Sequence, residues 1–119
     1  MLKYIKEPTD LQCGQAVLAM LCEKSVEEII KICKTDRETT FLDMKKVLNK
    51  FGFVLSSQRL IAKNKSDLPK IALLSLETPR CWHWSLYCDG VFYDPEHGVL
   101  SDFPLSNRKF YWEITKQEF

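Results

Sequence analysis

The stretch from Trp82 to Tyr93 constrains this chain more than any other. Trp82-His83-Trp84-Ser85-Leu86-Tyr87-Cys88 and Val91-Phe92-Tyr93 are aromatic and aliphatic runs on either side of Asp89-Gly90. An Asp-Gly pair readily takes up the positive φ of a two-residue β-turn, so such a pair between apolar runs is a strong hairpin signal. Closing the hairpin there pairs Cys88 with Val91 and Tyr87 with Phe92. Continued, that register sets His83 near residue 96 and leaves Asp94 as its diagonal neighbour on the same face. Trp82 and Trp84 then face the side opposite His83, because side chains alternate along a strand. Pro95 stops the second strand.

The rest of the chain divides at Gly52. Ahead of it the periodicity is helical. Pro8 disfavours helix before it, Thr9 and Asp10 are candidate caps, and Ala16, Val17, Met20 and Leu21 define an apolar face over a helix from Gln12 to Cys22. Ser25-Val26-Glu27-Glu28 reads as a capping box opening a second helix through Ile29, Ile30, Ile32 and Cys33. Thr35 to Thr39 reads as a loop. Thr40 with Asp43 caps a third helix marked by Phe41, Met44, Val47, Leu48 and Phe51, and Gly52 ends it. Beyond Gly52 the pattern is that of strands. Phe53-Val54-Leu55 is a short strand continuing toward Leu60-Ile61, and Ala62 to Pro69 is a loop or a short helix. Ile71 to Leu76 is an apolar run suited to a buried central strand. Gly98 to Asn107 reads as loop, and Phe110 to Ile114 as the last strand. Helices first and antiparallel strands second predict an α+β fold, the helices packed on one side of a sheet.

At 119 residues the chain is expected to be one domain, residues 1–119. A net charge of +1 argues against sequence-independent nucleic-acid binding. Met1 to Lys6 lacks the apolar core of a signal peptide, and no segment has the roughly 18 apolar residues of a membrane span. The five cysteines are odd in number, and Cys22 and Cys33 fall on apolar helical faces, so a reducing, cytoplasmic setting is expected. Cys81, His83 and Cys88 are close in sequence but form no paired Cys-x-x-Cys clip, so neither a metal nor a cofactor is expected.

Cys13 precedes Gly14 at the start of the first predicted helix, where free N–H groups and the positive end of the dipole favour a thiolate. A nucleophilic cysteine needs a base from elsewhere in the chain and a group to orient that base. There are only two histidines. His97 reads as a loop residue, which leaves His83, with Asp94 as the carboxylate nearest to it. Each has an ordinary reading by itself: Cys13 as a structural thiol, His83 as a strand histidine, Asp94 as a turn former before proline. The tryptophans are mainly core residues, with Trp82 or Trp84 available to line a cleft beside the base.

The series Gln12-Cys13-Gly14-Gln15-Ala16 opening a helix, His83-Trp84 in a strand and Tyr93-Asp94-Pro95 after a hairpin resembles the papain-like cysteine peptidases. The resemblance is to the peptidase C39-like group, which includes the leader-cleaving domains of bacteriocin exporters. It covers most of the chain and implies a papain-like fold, a Cys13, His83 and Asp94 triad, and a peptide or protein substrate. Where the family has an oxyanion-stabilising glutamine six residues before the cysteine, this chain has Glu7. An ionised carboxylate cannot donate a hydrogen bond and repels an oxyanion. A protonated Glu7, or Gln12 turned inward, would restore a donor. The resemblance therefore implies a cysteine peptidase or amide hydrolase working through a thioester. The alternatives are a catalytically silent peptide-binding member, or a deamidase or acyltransferase with the same triad.

Overall fold

The computed structural model describes residues 2–117. Three helices come first: α1 (Cys13–Cys22), α2 (Val26–Cys33) and α3 (Phe41–Lys50). Both predicted capping boxes form. Ser25 Oγ accepts from Glu28 N while Glu28 Oε1 accepts from Ser25 N, and Thr40 and Asp43 exchange the same pair of bonds. Gly52 follows α3 at φ +85°, a conformation that favours glycine. Helix α1 begins at Cys13, one residue later than expected, with Gln12 as its N-cap.

Seven antiparallel strands follow: β1 (Phe53–Leu55), β2 (Leu60–Ile61), β3 (Ile71–Glu77), β4 (Trp82–Cys88), β5 (Val91–Asp94), β6 (Gly98–Leu100) and β7 (Lys109–Lys116). The sheet runs β1-β7-β3-β4-β5-β6, with β2 also on β7. The β4–β5 hairpin has the register expected of its Asp-Gly turn, Cys88 opposite Val91 and Tyr87 opposite Phe92. The fold is α+β.

Two strand boundaries differ from the sequence reading. The strand expected to run from Phe53 toward Ile61 is broken. Leu55 pairs with Ile114 and Leu60 with Tyr111, so four residues on one side oppose two on β7, and the Ser56 hydroxyl takes the Glu113 N–H at 3.0 Å across the break. The segment from Ala62 to Pro69 agrees with the expected loop or short helix, holding a single 3₁₀ turn, Lys65–Asp67. Gly98–Leu100, read as loop, is an edge strand paired with β5; its three residues and exposed Val99 leave no apolar alternation to read.

The centre of the sheet is covered on both faces. Leu73, Leu86, Tyr93, Trp112 and Ile114 face the helices and pack with Leu18, Met44 and Leu48. Ala72, Leu74, Leu76, Tyr87 and Phe92 face the other way and are covered by Ala62, Leu68 and Phe103 from the connecting segments. Strand β3 lies between β7 and β4 and is therefore buried on both faces, which explains its unbroken apolar run. His83 and Ser85 share a face of β4, with Trp84 and Leu86 directed oppositely, so polar groups enter this interior at the end of β4 nearest the α1 start.

Candidate active site

The candidate site forms where α1 begins against β4. Cys13 is the first residue of α1, and no side chain caps that helix. Its Sγ accepts a hydrogen bond from the Trp84 backbone N–H at 3.4 Å, across 71 residues of sequence. Gly14 is what permits the approach of the neighbouring loop: a Cβ there would collide with Thr39 Oγ1 and lie 3.1 Å from Met44 Sδ. The loop between α2 and α3 is held by side-chain N–H donors. Gln15 Nε2 donates to Thr35 O and Arg37 O at 3.0 and 2.7 Å, Gln12 Nε2 to Asp36 O at 2.9 Å, and Trp84 Nε1 to Thr39 O at 3.1 Å. The result is a cavity of about 430 Å³ lined by Cys13, His83, Trp82, Trp84, Thr39 and Arg80 among others.

His83 is 4% exposed, and its Nε2 lies 3.1 Å from Oδ1 of the fully buried Asp94. Burial works against charge on His83, but the hydrogen bond to Asp94, then that with Cys13, and the charges of both outweigh it and raise the imidazole to about 10. Burial likewise works against the Asp94 carboxylate. The His83 hydrogen bond and charge prevail, helped by Ser85 and the His97 N–H, and hold the carboxyl well below its ordinary range. The two residues are therefore an imidazolium–carboxylate pair near neutrality. With Nε2 directed to Asp94, Nδ1 is the ring nitrogen left for the thiol.

Asp94 does more than meet His83. Its Oδ2 accepts from Ser85 Oγ at 2.8 Å. Its Oδ1 accepts from the backbone N–H groups of Glu96 and His97 at 3.0 and 2.9 Å, and lies 3.0 Å from His97 Nδ1. The carboxylate thus closes its own turn while it orients the imidazole. Ser85 and His97 were not singled out by sequence reasoning. Two signals were present: Ser85 lies two residues from His83 on the same strand face, and an aspartate ahead of a turn commonly accepts the N–H groups that follow it. His83, Glu96 and His97 also bring three metal-capable atoms within 4.8 Å of one another, a different set from the Cys81, His83 and Cys88 considered above. One nitrogen of each ring, His83 Nε2 and His97 Nδ1, lies on Asp94 Oδ1, and Glu96 Oε1 accepts from Arg80 at 2.9 Å.

The two candidate oxyanion groups part company. Gln12 donates its amide to Asp36 O. Glu7 is 8% exposed, its N–H donates to Pro95 O at 2.9 Å, and its Oε1 is buried with no hydrogen-bond partner among the described residues. Burial raises the Glu7 carboxyl; His83 opposes this, and Glu96, Asp94 and Asp10 add to it.

The fold defines an α+β class, a helical half packed on an antiparallel sheet. The crystal structure of a double-glycine motif protease from an AMS/PCAT transporter, in complex with the leader peptide, superposes with a TM-score of 0.69. The match spans 98% of this chain and 93% of that one at 17% sequence identity, so it establishes a shared fold. No protein-family model matches the sequence, and no curated protein matches it. Among the described residues, no helix is long and apolar enough to cross a membrane.

Proposed function

We propose that this chain is a small thiol hydrolase of peptide or protein amides, with Cys13 as nucleophile, His83 as proton donor and acceptor, and Asp94 as the residue that orients His83. The observation that carries the reading is a buried His83–Asp94 pair beside a cysteine at an uncapped helix start, with Cys13 and His83 both lining one cavity. Cys13 Sγ attacks the amide carbon, forming a C–S bond and placing negative charge on the carbonyl oxygen. The backbone N–H of Cys13, at the positive end of α1, is one donor to that oxygen. Collapse breaks the C–N bond, and the leaving amine takes its proton from His83. Water then attacks the thioester, gives a proton to His83, and the thiolate leaves. The leader peptide bound to the protease of the same fold supports a peptide chain as the cavity's occupant here.

A second reading, peptide binding without turnover, is favoured by Glu7, which cannot support an oxyanion once ionised. Alkylation with iodoacetamide at neutral pH, followed by mass-spectrometric mapping of the adducts, tests the triad. Cys13 is expected to react well ahead of Cys22 and Cys33. Equal rates at the three thiols would refute the catalytic reading.

A further inference from the structure

We infer that His97, Glu96 and Asp94, closed by His83, form a site for a divalent transition cation of the zinc type, and that the bound cation withdraws His83 from proton transfer. The site stands on the placement of these four side chains alone. Its inhibitory effect rests on the Cys13, His83 and Asp94 reading.

The first support is the disposition of the donor atoms. Asp94 Oδ1 lies 3.1 Å from His83 Nε2 and 3.0 Å from His97 Nδ1, so one carboxylate oxygen stands between two imidazole nitrogens. The two rings are nearly perpendicular, at 86°, with centroids 6.3 Å apart. Bonds of about 2.0–2.1 Å to a tetrahedral zinc set neighbouring donors roughly 3.3 Å apart, close to the separations found here. His83, Glu96 and His97 each place a donor atom within 4.8 Å of the others. Glu96 thus completes a set of two imidazoles and two carboxylates. Imidazole suits zinc and its neighbours in the first transition series, whereas calcium and magnesium take oxygen.

The second support is how the ligands are held and reached. Asp94 ends β5, Glu96 and His97 belong to the turn after it, and His83 lies on the paired strand β4. That turn is fixed by its own bonds: Asp94 Oδ1 accepts from the N–H groups of Glu96 and His97, and Oδ2 from Ser85 Oγ. Hydrogen bonds of this kind aim the ligands of a metal site. Asp94 and His83 are buried, whereas Glu96 and His97 are partly open to solvent. Neither Glu96 nor His97 lines the cavity beside Cys13, so a cation reaches the site without crossing it. Arg80, which holds Glu96 Oε1, is exposed and also reaches Asp10 at 3.4 Å, so it can release Glu96.

On binding, each ring nitrogen on Asp94 gives its proton to solvent and its lone pair to the cation. With Nε2 on the cation, His83 Nδ1 carries the ring's remaining proton and has no lone pair to take one from water, so hydrolysis of the thioester on Cys13 stops. Isothermal titration with zinc(II), and the absorption of bound cobalt(II), are to be measured on the wild type, Cys13→Ser, His97→Ala and Glu96→Gln. The wild type and Cys13→Ser are expected to bind one cation per chain with equal affinity, the cobalt(II) form showing d–d bands without sulfur-to-metal charge transfer. His97→Ala and Glu96→Gln are expected to bind more weakly by at least the about 10- to 100-fold that losing a ligand's hydrogen-bond partner costs. Zinc(II) is expected to cut steady-state turnover of N-acetyl-glycyl-glycine p-nitrophenyl ester by the wild type at least about a hundredfold, the lower end of what a general base supplies. At the same concentration it is expected to leave His97→Ala at its own metal-free rate. No binding by Cys13→Ser, sulfur charge transfer in the cobalt(II) wild type, or undiminished binding by either His97→Ala or Glu96→Gln overturns the site. Binding as expected with wild-type turnover unaffected overturns the effect on His83. Absence of ester turnover by the metal-free wild type overturns the reading of Cys13, while binding by Cys13→Ser leaves the cation site standing.

Discussion

Asp94 offers the sharpest separation of stability from chemistry. Its carboxylate accepts from Ser85 Oγ, from two backbone N–H groups and from His83, and meets His97 as well, all from a position with no solvent exposure. In Asp94→Ala the buried imidazolium and the turn N–H groups lose their acceptor together. Breaking a buried charged pair from one side costs about 3–5 kcal/mol, and His97, whose ring is 43% exposed, can turn to water and adds little. In Asp94→Asn a carbonyl oxygen still serves the turn N–H groups at the Oδ1 position, and Ser85 can rotate to accept from the new amide. The loss is then that of charge assistance, on the order of 1–2 kcal/mol. Urea unfolding at pH 6 measures both. Equal costs for the two variants, or a cost below about 1 kcal/mol for Asp94→Ala, would refute the account of Asp94 as a buried, charged hub.

The same pair sets a pH window. His83 titrates near 10 in the fold and near 6.5 unfolded, so its stabilisation is fully present below about pH 6.5 and is lost as pH rises through 10. Asp94 is depressed, so its contribution is present above its unfolded value of about 3.9 and is lost as pH falls below that. The two describe one interaction and must not be added. Wild-type stability from this source is greatest between about pH 4 and pH 6.5, and Asp94→Asn is expected to flatten both limbs.

Two further predictions concern α1. Gly14→Ala should destabilise the fold by about 1–3 kcal/mol through overpacking, because its Cβ meets Thr39 Oγ1 and Met44 Sδ; adding Thr39→Ala should recover part of the melting temperature, and no recovery would show that the clash lies elsewhere. Cys22, whose thiol burial pushes up to about 12, should stay unmodified by iodoacetamide at pH 8 in the native protein and react once it is unfolded in urea; native labelling at Cys22 would contradict its placement in the helical core.

What the sequence made legible was local. The capping boxes at Ser25 and Thr40 and the Asp89-Gly90 hairpin are each specified within a few residues, and each forms in the expected register. The helical half and the strand half followed from periodicity alone. The broken edge between β1 and β2 did not, because a bulge of four residues against two depends on β7, which lies over fifty residues away. Strand β6 was invisible for a related reason: it exists only because the turn after Asp94 folds back along β5, and that turn is closed by a side chain rather than by an apolar pattern.

The site divides along the same line. His83 and Asp94 are eleven residues apart across one hairpin, so counting along the strands was enough to make them neighbours. Cys13 meets Trp84 across 71 residues, a closure that no spacing rule dictates and that depends on α1 packing against β4. The role of a carboxyl group is harder still to read. Glu7 and Gln12 are both polar residues shortly before the cysteine, and by residue type Gln12 is the better donor. Their surroundings differ: Gln12 donates its amide to a loop carbonyl, whereas Glu7 is buried near Asp94, Glu96 and His83 with an oxygen unmatched among the described residues. Whether a glutamate is a donor or an obstacle is decided by its surroundings, and these come from segments some seventy to ninety residues further along the chain. A sequence can name the carboxyl, but only the assembled site determines whether it keeps its proton.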